Sequence, residues 1–246
     1  YVRAKEVLMS SGSIERPIVF GNNDTPGVVL ASAAKEYLKI YGVLVGKKPI
    51  IFTNNDSAYE TAIEFKNNGI EPIILDTRTN TKSEIVDEAK NLGINIKFSH
   101  VVVAANGYKK VNSAQIAQIS ANKKDLGIIQ KINCDCICVS GFWTPSIHLS
   151  SQSGNKTKFD DKIDAFVPGK SKQNETTVGS ANGIFNLEET INTSFEKGYE
   201  LSKKITNKDN KVSIPQVSEK NYTSHDKFWC VPLPDKKNYK RSLDFQ

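Results

Sequence analysis

Apolar residues along the chain fall into short continuous runs separated by stretches of helical period, and the clearest case is 48–78. Pro49-Ile50-Ile51-Phe52-Thr53 is an apolar run of the kind a strand covered on both faces requires, and Asn54-Asn55-Asp56-Ser57 supplies turn and N-cap chemistry. Ala58, Ala62, Ile63 and Phe65 then share one helical face, and Gly69 stands where a left-handed residue closes a helix. Pro72-Ile73-Ile74-Leu75-Asp76 reads as a second buried strand. The pattern predicts a strand, helix and strand with the two strands parallel.

The neighbouring stretches extend this unit. Asn22 to Gly27 is a turn, with Thr25 as cap and Pro26 at the first position of a helix that carries Leu30, Ala33, Ala34, Leu38 and Tyr41 and stops at Gly42. Thr81-Lys82-Ser83-Glu84 has the form of a capping box before a helix with Ile85, Ala89 and Leu92 inward and Gly93 at its end. The period changes to two at Ile94, Ile96 and Phe98. Val101-Val102-Val103-Ala104 and the residues after Asn106-Gly107 predict a hairpin with a type I′ turn, and 130–139 returns as a third strand. Phe142-Trp143-Thr144-Pro145 leaves regular structure and leads into a polar loop through Gly154.

Three places combine a strand end with small residues. Glu6-Val7-Leu8-Met9 runs into Ser10-Ser11-Gly12, Cys138-Val139 into Ser140-Gly141, and Thr177-Val178 into Gly179-Ser180-Ala181-Asn182-Gly183. Such turns let a ligand lie across a sheet, and they serve equally as plain strand exits or tight packing. The last one precedes a helix capped by Asn186, with Glu188 and Glu189 in its first turn, Ile191, Phe195 and Leu201 as its stripe, and Lys203 and Lys204 at its end. A helix start preceded by small residues suits an anion or cofactor.

The turn at 53–58 tests the idea of a nucleotide in the first unit. A dinucleotide turn reads G-x-G-x-x-G so that backbone can approach a pyrophosphate. The three glycine positions are Thr53, Asn55 and Ala58 here, and only Ala58 is a usual replacement. Asp76 follows about 20 residues on, where an acid would hold a ribose hydroxyl, but an acid at a strand end is also ordinary turn chemistry. The favoured reading is a spacer that has lost its ligand.

Composition narrows the classes. The 246 residues carry a net charge of +6, but lysines dominate and are scattered among acids, which describes a solvated surface and argues against nucleic acid. No apolar run reaches the length of a membrane span. Cys134, Cys136 and Cys138 would point the same way on one strand; their spacing is not that of a zinc or iron–sulfur site, and buried reduced thiols in a cytoplasmic protein are expected. The sequons at Asn155, Asn174, Asn192 and Asn221 carry no weight in that compartment. His100, His148 and His225 have no identifiable nucleophile partner, so neither a catalytic residue nor a metal site is predicted. The chain begins at Tyr1 and is expected to be a piece of a longer polypeptide.

Turns at Gly12, Gly141 and Gly183 bracketing an inserted α/β unit resemble the two-dinucleotide-binding-domain flavoproteins of the glutathione reductase type. That family has an Asp on the flavin ribityl chain where Asn182 stands here, and a redox C-x-x-C is lacking. The phrases ERPIVFGNNDTPGVVLASA (15–33), IFTNNDSAY (51–59), VSGFWTP (139–145), HLSSQSG (148–154), FVPG (166–169) and SANGIF (180–185) resemble the alpha subunits of heterotetrameric sarcosine oxidases. LDFQ (243–246) resembles their linker to a folate-binding, aminomethyltransferase-like domain.

The resemblance implies an α/β, Rossmann-like two-dinucleotide-binding-domain fold, in which an inner parallel α/β domain with an antiparallel meander is inserted into an incomplete outer FAD/NAD(P)-binding domain. It implies that 1–44 ends the outer domain and adds a connecting helix, 45–141 is the inner domain, 142–205 returns to the outer domain, and 206–246 is a linker toward a missing folate-binding domain. The implied reaction takes sarcosine, oxygen and tetrahydrofolate to glycine, hydrogen peroxide and methylenetetrahydrofolate. FAD is implied in the beta subunit, FMN at the alpha–beta interface and NAD in this subunit, with beta, gamma and delta subunits as partners. Ser11, Gly12, Gly179, Ser180, Ala181, Asn182 and Gly183 would line the NAD site, and the glycine turn that grips its pyrophosphate would lie upstream of Tyr1. Related amine or hydroxyproline dehydrogenase alpha subunits share the outer pattern. In that alternative the region is a structural docking module whose nucleotide sites have decayed.

Overall fold

The computed structural model describes residues 3–209, 213–217, 225–234 and 239–242. The chain divides into two compact units, a flanking unit of Tyr1–Ile14 with Trp143–Asn221 and an inserted unit of Glu15–Phe142 with Tyr222–Gln246. The LDFQ phrase at 243–246 and the sequon at Asn221 lie outside the described residues.

The flanking unit opens with β1 (Val7–Met9) and β2 (Ser13–Glu15), whose end passes the chain to the inserted unit. There β3 (Val28–Leu30) runs directly into α1 (Ala31–Tyr41). β4 (Pro49–Thr53), α2 (Ser57–Asn67) and β5 (Ile73–Asp76) form the unit that the apolar spacing predicts, and α3 (Glu84–Asn91) with β6 (Asn95–Phe98) extends it. A meander of β7 (His100–Gly107), β8 (Val111–Gln118) and β9 (Gln130–Asn133) precedes β10 (Cys136–Ser140). The parallel sheet has the order β3-β10-β4-β5-β6.

Unbroken apolar runs suit this sheet because successive side chains serve two cores. Ile50, Phe52, Leu75, Ile137 and Val139 join the core shared with the meander. Ile51, Ile74, Cys136 and Cys138 join the core shared with α1, α2 and α3. Each Ile, Leu or Phe buried in this way is worth about 1.5–3 kcal/mol.

Long-range pairing overrides local pattern at several points. Val28–Leu30 is an edge strand held against β10 by the register Val29↔Cys138, so α1 starts at Ala31 and Thr25 hydrogen-bonds Asn22 O instead of capping it. Tyr41, expected on the inward stripe, is exposed. The hairpin tip falls at 108–110, because β7 continues to Gly107 through a register shift. The run 130–139 is two strands, broken where the Asp135 carboxylate accepts the N–H groups of Lys47 and Lys48 at 2.8 and 2.7 Å. That break sends Cys134 into the meander core, apart from Cys136 and Cys138. The helix expected from a capping box at Thr81 begins at Glu84, with Thr81 buried and no capping bond from Ser83.

After its return the flanking unit contains β11 (Trp143–Pro145), which pairs with β2, then α4 (His148–Gln152) and the hairpin of β12 (Thr157–Asp160) and β13 (Ala165–Pro168). These elements occupy stretches that the polar pattern leaves irregular. β14 (Glu175–Thr177) pairs in parallel with β1 and leads through a 3-10 turn at Gly179–Asn182 to α5 (Leu187–Thr206). No residue of α5 is buried, and Phe195 of its expected apolar stripe is exposed.

Candidate functional site

Parallel pairing of β1 and β14 sets Met9 opposite Thr177, and the Val178 N–H donates to Met9 O at 2.9 Å. Both strands therefore end at one edge. From it leave the two small-residue turns, Ser10-Ser11-Gly12 and Gly179 to Gly183. The fold thus brings the strand ends that carry Ser11, Gly12, Gly179, Ser180, Ala181, Asn182 and Gly183 to a common edge of the flanking unit.

The glycines are needed for different reasons. Gly12 has φ +77°, and a Cβ there would meet nothing within 4 Å, so the turn leaves open space. Gly183 also takes a left-handed φ of +80°, but its Cβ would fall 2.9 Å from Ile163 Cδ1 and 3.0 Å from Val167 Cγ1. Ser11 Oγ donates to Ser146 O at 2.8 Å, and the Ser146 N–H donates to Gly12 O, which fixes the first turn. Ala181 is buried, Ser180 half-buried and Asn182 exposed. Gly141 has a packing role in the inserted unit: a Cβ would come 2.9 Å from Arg16 O and Pro17 O.

The start of α5 is already satisfied. Asn186 Oδ1 accepts the Glu189 N–H at 2.9 Å, and Glu188 and Glu189 place carboxylates in the first turn. Those charges use the positive end of the helix dipole and oppose a second anion there. The open, small-residue edge at Gly12 fits close approach of a nucleotide, whereas the helix start does not offer a phosphate cradle.

The corresponding turn of the inserted unit is filled. Thr53 Oγ1 accepts the Asn55 N–H at 3.1 Å and donates to Asn55 O at 2.9 Å. Asn55 Oδ1 accepts the Ser57 N–H at 3.0 Å, and the Asn54 N–H donates to Ser140 O at 3.4 Å. Two of the donors that would point at a pyrophosphate are thus spent on the side chains that replace glycine, and a third on the end of β10. Residues 53–56 are all buried.

Asp76 is likewise engaged. Arg78 grips it with Nε 3.0 Å from Oδ1 and Nη2 2.7 Å from Oδ2, while Arg78 Nη1 lies 2.7 Å from Asp56 Oδ1. Tyr59 Oη donates to Asp76 Oδ2 at 2.7 Å. Burial, then the adjacent Asp76 charge, raise the Tyr59 pKa, so the phenol keeps its proton. Burial alone would lower the pKa of Arg78, but its bond to Asp76 and the two carboxylate charges raise it. The group that would receive a ribose hydroxyl is a structural counter-ion, and the residues of this turn do not fit a dinucleotide. Sequence reading identified the lost glycines but not this cluster, because Asp56, Asp76 and Arg78 each look like ordinary turn residues.

The histidines have local roles: His100 Nδ1 lies 2.7 Å from Phe98 O, His148 approaches Ser146 Oγ at 3.5 Å, and His225 stacks on Phe142 with centroids 4.0 Å apart. Among the described residues no group of three or more His, Cys, Asp or Glu could hold a metal ion, and no helix is long and apolar enough to cross a membrane.

Solved structures give the fold. The L-proline dehydrogenase of P. horikoshii matches 82% of this chain and 35% of its own at 20% identity and a TM-score of 0.54. The HOCl-induced flavoprotein disulfide reductase of Escherichia coli matches 82% of this chain and 44% of its own at 14% identity and a TM-score of 0.60, and T. acidophilum thioredoxin reductase matches 75% and 59% at 15% and 0.57. The fold is that of the two-dinucleotide-binding flavoprotein reductases and dehydrogenases. No family model matches the chain. In sequence it is 34% identical over 200 residues to sarcosine oxidase subunit alpha of Corynebacterium sp. (strain P-1), covering 80% of this chain and 20% of that protein. It is 33% identical over 186 residues to the same subunit of Rhizobium meliloti (strain 1021), covering 72% of this chain and 17% of that protein. The chain is a relative of the sarcosine oxidase alpha subunits, and it spans about one fifth of the length of the curated relatives it matches.

Proposed function

We propose that this chain is a portion of the alpha subunit of a sarcosine-oxidising flavoenzyme, and that its flanking unit forms part of a site for NAD. The observation that carries this reading is the parallel pairing of β1 with β14, which places the turn after Met9 and the turn after Val178 at one open strand edge. Ser11 and Asn182 would supply hydroxyl and amide groups to the nucleotide, Gly12 would let it approach the backbone, and Gly179, Ser180, Ala181 and Gly183 would shape the second turn beside it. When bound in this subunit NAD would fill the place of a flavin, and the FAD of a beta subunit would supply the oxidising chemistry. No acid, base or nucleophile of this chain takes part. FMN at an alpha–beta interface, gamma and delta subunits, and tetrahydrofolate as acceptor of the one-carbon unit complete the proposal, set in the cytoplasm.

A second reading is favoured by the filled turn at 53–56 and the capped start of α5: a docking module without a nucleotide, in a related amine or hydroxyproline dehydrogenase complex. The parent subunit expressed with its partner subunits, purified as a complex and denatured, distinguishes the two by mass spectrometry of the released nucleotides. Recovery of NAD from the native complex and its loss in an Asn182→Trp variant that still assembles support the first reading. Turnover of sarcosine with no nucleotide attributable to this subunit overturns it.

A further inference from the structure

The carboxyl ends of the inserted sheet are crossed by residues 225–231 of its own chain. His225 pairs with Asn55 beyond β4 and stacks on Phe142 beyond β10. The Asp226 N–H donates to Asn54 O at 2.8 Å, and the Asn54 amide returns a bond to Asp226 O at 2.8 Å. The Asp226 carboxylate lies 2.9 Å from Lys123 Nζ and 3.5 Å from Thr77 Oγ1, and Lys123 also bonds Thr77 O beyond β5. Further along, Val19 exchanges backbone hydrogen bonds with Trp229 and Val231 at 2.8 Å, and the Arg16 guanidinium lies 3.3 Å from the Trp229 ring centroid. Phe228 and Val231 enter the meander core.

In an open parallel sheet this edge is where a nucleotide binds. We infer that 225–231 is a constitutive strap: it fills the nucleotide crevice of the inserted unit, so the unit takes no dinucleotide and serves instead to anchor the late part of the chain. Three features make the strap part of the fold and not a displaceable lid. Its backbone is bonded on both sides of Phe228, two of its side chains complete a core, and the N–H groups beneath it are consumed by Thr53 and Asn55. The inference concerns the inserted unit alone and stands or falls separately from the proposed NAD site.

Amide hydrogen exchange on the full-length parent subunit within its complex tests it. The amides of Asp226 and Val231 are expected to exchange at least ~100-fold more slowly than unstructured chain, and millimolar NAD or ADP should change them less than ~2-fold. Asn54→Ala and, separately, Lys123→Ala should speed exchange across 225–231 by ~10-fold or more while the amides of Ile74 and Leu75 stay protected. Exchange of 225–231 at unstructured rates in the unsubstituted subunit, or its acceleration by NAD or ADP, overturns the inference.

Discussion

Arg78 Nη1 lies 2.7 Å from Asp56 Oδ1, an ion pair between the start of α2 and the residue two beyond β5, with side chains only 7% and 1% exposed. The same guanidinium holds Asp76, so one cation balances two carboxylates in the interior. Removing it leaves both without compensation. Arg78→Ala is therefore expected to cost about 3–5 kcal/mol in urea unfolding, and a loss below about 1 kcal/mol would show that the cluster is not closed as described.

Tyr59 donates a further hydrogen bond to this cluster. Tyr59→Phe should lose about 1.5–3 kcal/mol, the value of a hydrogen bond to a charged group. Because the native pKa is raised by burial and by Asp76, the unfolded chain gives up the phenol proton first as pH rises above 10. Stability of the unsubstituted protein should decline there more steeply than that of Tyr59→Phe, as unfolding midpoints at pH 9 and 10.5 would reveal.

Glu15 is buried beneath Ser32, whose N–H and hydroxyl both donate to Oε2, at 2.8 and 2.6 Å. Burial raises its pKa from 4.5 despite these bonds. The native state therefore holds the proton after the unfolded chain has lost it, and stability is lost as pH climbs from 4.5 through the native value. Glu15→Gln keeps an acceptor for Ser32 without the charge. It should match or exceed the unsubstituted protein at pH 7 and show a flatter profile from pH 4.5 upward; parallel profiles would contradict this.

The four cysteines are free thiols, three buried and Cys230 exposed. Burial pushes the Cys134 thiol up to about 12, and the Cys136 bond and burial raise Cys138. A disulfide reagent should therefore modify only Cys230 in the native protein and all four after unfolding. Rapid native labelling of Cys136 or Cys138, read by peptide mapping, would mean that the sheet opens.

Gly12 and Gly183 separate strain from crowding. Gly12→Ala meets open space and should cost about 1–2 kcal/mol for its left-handed backbone alone. Gly183→Ala adds a collision with Ile163 and Val167 and should cost more. Equal losses in thermal unfolding would refute the difference.

What the sequence made legible was local. The unit from β4 to β5 announces itself because run length, turn residues and the glycine after α2 agree. The small-residue turns at Gly12 and Gly183 were visible for the same reason, as was the Asn186 cap. β3 was not, because a Thr-Pro pair before Val28 reads as a helix start and only the partner β10 makes it a strand. The strap at 225–231 was not legible either, since the stretch 206–246 reads as a linker and its landing place depends on bonds such as Asn54 to Asp226, which join residues 172 positions apart.

The position of β10 gives the inserted unit a direction in time. Its five residues lie between β3 and β4, strands made far earlier during synthesis. A nascent chain that has emerged only through β9 has the other four strands of the sheet and a gap between β3 and β4, with two bare strand edges facing it. Such edges recruit other chains. Translation stalled or cut between Asn133 and Ser140 should therefore yield aggregates; arrival of the Cys136–Ser140 strand closes the sheet, and the later arrival of Phe228 and Val231 completes its core.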